Sequence, residues 1–246
     1  MSLTRYFKPE QKVLLRRLDS SGPTEQFEAL SAFVTEVGGS SLDLEFPYRS
    51  KEGKPYPFES GQSFELKTVS MGMGLKFRAD FIDHRSGNRV RFSCSPNFQA
   101  FQQRPGARID IRLGLRFSRG EGEISTLRRL WEKNVRLLHS GGKLKTLNDF
   151  RPCPVNLSAG GMRFTSTADM TLSDVCLVLI NLEDDKPPIC ALAEVVWCSQ
   201  EEGSDLITKG LQFLNILEED RERIETFIKI DIRNKKREEG PKPVTI

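Results

Sequence analysis

Two short polar stretches hold the residues best suited to chemistry: Phe101-Gln-Gln-Arg-Pro-Gly-Ala-Arg108 and Val155-Asn-Leu-Ser-Ala-Gly-Gly-Met-Arg-Phe164. Arg104 and Arg108 flank Pro105 and Gly106, which disfavour a helix. A guanidinium is planar and permanently charged. It pairs bidentately with a phosphate or a guanine O6/N7 edge, and it stacks on a purine. Asn156 and Ser158 alternate across Leu157, so in a strand both point to one face. Gly160 and Gly161 let the chain turn and let a ligand approach backbone N–H groups. Cationic planes, hydrogen-bonding groups and bare backbone are what a ligand with both phosphate and base requires. Each pattern alone is common: Arg-x-x-x-Arg recurs in basic chains, and Asn-x-Ser-x-x-Gly also describes a simple Asx-type turn.

Around these stretches the chain reads as strands. Residues 12–18 read as a strand, and 41–46, 63–69, 75–82 and 90–94 alternate apolar and polar positions. Residues 26–37 have spacing compatible with helix or strand, and their neighbours favour strand. Short, evenly spaced strands broken by Gly, Pro and Ser turns predict a small barrel or sandwich. A second β region opens at 109–117 and resumes at 154–165, 175–182, 189–197 and 210–213. Between them Ile124, Leu127, Trp131, Val135 and Leu138 recur at helical intervals, and Gly141-Gly142 ends the run. The other face of that helix is basic (Arg128, Arg129, Lys133, Arg136) and reads as a solvated face, or as a docking face for a partner. A charged C-terminal helix is expected over 217–232, followed by a polar, mobile tail.

A net charge of +3 on 246 residues gives no case for general nucleic-acid binding, and DNA is not indicated as a partner. No apolar run is long enough to span a bilayer and the N-terminus lacks an apolar signal region, so a cytoplasmic location is expected. Cys94, Cys153, Cys176, Cys190 and Cys198 form no Cys-x-x-Cys pair, which argues against a disulfide framework or a zinc site. With only His84 and His139 among its histidines, the chain lacks the usual parts of a catalytic or metal centre. The expectation is a protein without enzymatic activity, with no metal and no cofactor.

Arg104-Pro-Gly-Ala-Arg108 followed by Asn156-Leu-Ser-Ala-Gly-Gly161 resembles the paired RxxxR and (D/N)xSxxG motifs of PilZ domains, bacterial receptors for cyclic di-GMP. Ala191-Leu-Ala-Glu-Val-Val-Trp197 and Lys209-Gly-Leu-Gln-Phe213 are similar to that family's last strands. The resemblance covers roughly 98–232, and the preceding β region looks like the N-terminal barrel of the two-domain, flagellar-brake type. It implies a mainly β fold of two small barrels, the second with an inserted helix and a C-terminal helix. The expected divisions are an N-terminal barrel at 1–97, a linker at 98–108, a PilZ domain at 109–233 and a flexible tail at 234–246. The resemblance further implies that cyclic di-GMP is held by Arg104, Arg108, Asn156, Ser158, Gly160 and Gly161. Domain orientation would change on binding, to regulate a protein partner in flagellar, secretion or regulatory machinery. Trp197 matches a position where some members place an aromatic beside guanine, and core packing is its other reading. Gln103 stands where many relatives carry a further arginine, which bears on affinity and stoichiometry. The alternative is an interaction module of the same fold that binds no nucleotide.

Overall fold

Alternation decides the architecture. In the segment Ser63–Ser70 the even positions Phe64, Leu66 and Thr68 are buried while Glu65, Lys67 and Val69 face outward. A strand with one apolar face must cover it, and a sheet that closes on itself does so without leaving an edge. The computed structural model describes residues 3–18, 26–48, 56, 58–102, 106–119, 124–141, 150–200, 203 and 205–238. The chain divides into two compact units: Met1–Pro105 with Glu121–Arg128, and Gly106–Gly120 with Arg129–Ile246.

The first unit contains β1 (Lys12–Arg17), β2 (Gln26–Glu28), β3 (Leu30–Val37), β4 (Ser41–Glu45), β5 (Ser63–Ser70), β6 (Met73–His84), β7 (Arg89–Cys94) and β8 (Gln99–Phe101). Six of these form a closed antiparallel barrel in the order β5-β1-β3-β4-β7-β6, with β6 pairing back to β5, and β8 adds to β6. Residues 26–37 are strand, as their neighbours suggested. Leu15, Leu42, Leu44, Leu66 and Phe92 fill the barrel. Phe58 caps it, with its ring 5.2–5.6 Å from those of Phe46, Phe64, Phe81 and Phe92.

The second unit contains β9 (Ile109–Arg119), β10 (Arg151–Ser158), β11 (Gly161–Ser166), β12 (Val175–Asn181), β13 (Ile189–Gln200) and β14 (Ile207–Leu217). They close in the order β11-β10-β9-β12-β13-β14, with β14 pairing back to β11. Number each barrel's six strands in chain order and both close as first, second, third, sixth, fifth, fourth. The two barrels therefore share one circular topology.

Two α-helices occur among the described residues. Helix α1 (Ile124–His139) falls in sequence between β9 and β10, and its Trp131 is buried in the second unit with Nε1 donating to the Cys190 carbonyl at 2.9 Å. At its start Arg128 belongs to the first unit, where it lies over the Tyr56 ring and donates to the Ala29 carbonyl at 3.3 Å. Helix α2 (Glu218–Glu238) follows β14 without a loop and extends six residues past Ile232. Ile224 and Ile228 are buried, and Arg223 fixes the first turns by donating to Asp184 at 2.6 and 2.5 Å and to the Pro187 carbonyl at 2.9 Å. Cys94, Cys176 and Cys190 are buried free thiols, each pushed up to about 12 by desolvation. Cys153 is partly exposed and Cys198 exposed.

Candidate functional site

The second barrel aligns five residues from five strands into one cross-strand row. Asp110 on β9 pairs with Asn156 on β10, Asn156 with Arg163 on β11, Arg163 with Gly210 on β14, and Gly210 with Trp197 on β13. Each position follows from local alternation. Met162 and Phe164 are buried, so Arg163 between them faces out, and Val155 and Leu157 do the same for Asn156.

The side chains of the row are linked. Asn156 Nδ2 donates to Asp110 Oδ1 at 2.9 Å, and Arg163 Nη2 reaches the same oxygen at 3.5 Å. The shared carboxylate, an acceptor only, selects the amide nitrogen of Asn156 as its partner. Asp110, Asn156, Arg163 and Thr165 line a shallow open depression with Pro154 and Val155.

At the far end of the row lies an aromatic plane. Trp197 follows a register irregularity between Val195 and Trp197, and its indole crosses Gly210 so closely that a Cβ there would meet Nε1 at 2.0 Å. The indole is 40% exposed, so its face is available for stacking.

Ser158 and the glycines play different parts. Ser158 is buried and its Oγ donates to the Gly161 carbonyl at 3.0 Å, closing the β10–β11 turn, whereas Asn156 is only half-buried. The two residues expected to act together are thus separated, one locking the turn and one presented to solvent. Gly160 is exposed with open space around it, and its carbonyl accepts the Phe213 N–H at 3.0 Å. Gly161 packs on β14, where a Cβ would sit 2.0 Å from the Leu211 carbonyl oxygen. Glycine is required there for close packing of the backbone. Arg108 is exposed, two residues before Asp110. Gln103 and Arg104 lie outside the described residues.

Asp110, Arg163 and Gly210 were not singled out from sequence as site residues. Arg163 was within reach, because it stands at the outward position of Gly161-Met-Arg-Phe164. Next to the row, Lys209 is fully buried with Nζ donating to the Ser166 and Ile207 carbonyls at 3.2 and 3.4 Å. Desolvation lowers its pKa. Among the described residues no group of three or more His, Cys, Asp or Glu is placed to hold a metal.

A family model described as PilZ domain matches residues 134–229. The second unit carries a PilZ domain. The match holds Asn156, Ser158, Gly160, Gly161, Arg163, Trp197 and Gly210, and it begins after Arg108 and Asp110. Solved structures similar to most of the chain include the following three. One is the inhibitor of motility (MotI/DgrA) of Bacillus subtilis, with 12% identity, covering 94% of this chain and 100% of that one, at a TM-score of 0.38. Another is MrkH of K. pneumonia in complex with c-di-GMP, with 15% identity, 93% and 90% coverage and a TM-score of 0.35. The third is YcgR of Escherichia coli in complex with c-di-GMP, with 12% identity, 92% and 86% coverage and a TM-score of 0.35. Among proteins of curated function none matches the chain. No helix among the described residues is long and apolar enough to cross a membrane.

Proposed function

We propose that the protein is a receptor for cyclic di-GMP that binds the dinucleotide on the PilZ barrel and on the arginine segment before it. The observation that carries this reading is the row Asp110–Asn156–Arg163–Gly210–Trp197. It combines an oriented amide, a guanidinium, a bare backbone position and an exposed indole within one surface strip. Guanine offers an O6/N7 edge to arginine and a flat face to an aromatic ring, and its phosphates pair with guanidinium groups. Arg163 and Trp197 meet those demands from the barrel, and Arg104 and Arg108 meet them from the chain leading into β9. Asn156 supplies hydrogen bonds, Gly160 leaves open space at the turn, and Ser158 and Gly161 hold the turn in shape. Gln103 offers an amide in place of a further cation ahead of Arg104, which lowers the electrostatic contribution to affinity.

The role is binding rather than catalysis. A ligand that engages both the arginine segment and the barrel binds one arrangement of the chain better than another, and that difference in affinity biases the two units toward an output state. A protein partner would read that state. Isothermal titration of the full chain with cyclic di-GMP tests the reading. Saturable binding, weakened at least tenfold by Arg108→Ala or Trp197→Ala, is the expected result. An absence of heat at micromolar protein, or affinity indifferent to both substitutions, overturns it. Small-angle scattering with and without ligand tests the change of arrangement.

A further inference from the structure

The β5–β6 hairpin adopts a backbone that its sequence disfavours. Ser70 and Met73 are cross-strand partners, so the turn consists of Met71 and Gly72 alone, with φ of 49° and 77°. Two consecutive left-handed residues define a type I′ turn, for which Asn-Gly is the ordinary choice. Gly72 adopts the conformation freely, whereas Met71 holds a long side chain where only small polar residues or glycine are comfortable.

This strained turn displays apolar surface. Met71 is 69% exposed, Met73 52% and Val69 51%. Scattered apolar residues on a surface need no explanation. Three on one projecting tip, one of them in strained backbone, call for one. Lysines stand behind them. Lys67 and Lys76 are cross-strand partners that share Glu65, at 2.9 and 4.0 Å. The Lys12 carbonyl accepts the Thr68 hydroxyl at 2.8 Å, and Gln11, three residues after Lys8, donates to the Val69 carbonyl at 3.0 Å. Lys67 and Lys76 thus stand behind the tip on either side of Glu65, and Lys8 and Lys12 belong to the segment that is hydrogen-bonded to the same strand.

We propose that this hairpin tip docks on an anionic lipid surface, the methionines and valine entering the interface while the lysines meet the headgroups. A two-residue turn suits that environment, because Ser70 and Met73 pair across the turn and leave little unpaired backbone to be desolvated. Anionic leaflets attract clustered lysines, and a projecting apolar tip inserts where a flat face cannot. Methionine is unbranched and polarisable, so it adapts to the irregular packing at such a boundary. The inference stands apart from the nucleotide reading, since every residue in it belongs to the first unit.

Co-sedimentation of the full chain with vesicles of phosphatidylcholine plus phosphatidylglycerol tests it, with pure phosphatidylcholine as the control. The protein is expected to partition onto the mixed vesicles and not onto the control. Met71→Asn suits the turn, so it should keep or raise the denaturation midpoint while reducing partitioning roughly tenfold. Lys67→Gln and Lys76→Gln should each reduce it roughly fivefold. No partitioning of the wild type, or a Met71→Asn variant that binds as well, overturns the proposal. So does self-association that Met71→Asn abolishes, which would make a second copy the occupant.

Discussion

The two barrels close in the same circular order, and their corresponding outer rows carry opposite solutions. In the first, the row across the second, third, sixth and fifth strands reads Glu36, Asp43, Arg91, Asp83. In the second, the same four strands present Asn156, Arg163, Gly210 and Trp197. Both rows follow a register irregularity on the fifth strand, between Phe81 and Asp83 and between Val195 and Trp197. The scaffolds share that irregularity, and the first barrel has a further one between Val34 and Glu36. In the first barrel Arg91 donates to both Asp43 oxygens at 2.5 and 2.6 Å and lies 3.8 Å from Glu36, so three members of the row pair with one another, while Asp83 lies 3.3 Å from Arg85 outside it. In the second, glycine replaces the central arginine and an indole lies across the gap. Topology provides a row; the outward-facing residues decide whether it becomes an ion-pair patch or an open strip with an exposed indole.

The comparison is broken most severely at Gly161. Gly161→Val drives side-chain atoms into the Leu211 carbonyl and should destabilise the second unit by about 3 kcal/mol or more, read by chemical denaturation. Next in size is Gly210→Ala, which displaces the Trp197 indole while the fold survives, since that side chain is exposed. Removing a stacking surface of this kind costs about 1–3 kcal/mol, so titration should show cyclic di-GMP affinity lower by roughly ten- to hundredfold. Asp110→Ala frees the Asn156 amide to rotate and should lower affinity by about 1 kcal/mol, a fewfold effect, with an unchanged denaturation midpoint.

The first barrel should respond in the opposite sense. Asp43→Asn breaks the pair with Arg91 and should lower the denaturation midpoint of the first unit while leaving nucleotide affinity untouched. The smallest effect is in acid. Hydrogen bonding to Arg91 holds the Asp43 carboxyl below its ordinary 3.8. A lowered folded-state pKa gives stability that is fully present above 3.8 and is lost as pH falls through the folded value. Wild-type stability of the first unit should therefore decline below about pH 4 more steeply than that of Asp43→Asn.

Much of the fold was legible along the chain. Alternation at 41–46, 63–69, 75–82 and 90–94 corresponds to β4, β5, β6 and β7, and helical spacing from Ile124 to Leu138 corresponds to α1. Within the ambiguous 26–37 segment, Leu30–Val37 resolved as strand because Leu30, Ala32 and Val34 had a barrel interior to fill. Within the site, Asn156 and Trp197 stand on the outer face as their neighbours imply, while Asp110 looked like one more charged residue in an alternating strand. Ser158 shows the limit of the alternation rule. It shares a face with Asn156 on paper, yet at a strand's last residue the turn captures its hydroxyl.

The residues by themselves determined which positions face out, where the chain turns and where it cannot be helix, because these depend on neighbours within a few positions. They also supplied the Asn156–Gly161 motif, which lies inside the stretch matched by the PilZ model, whereas Arg104 and Arg108 lie before it. Only the tertiary structure decided that Asp110, Asn156, Arg163, Gly210 and Trp197 form one row, and that the two barrels repeat a single topology. Both facts are set by strand register. Register depends on pairing between segments far apart in the chain, and a slip of one residue would move every side chain to the other face.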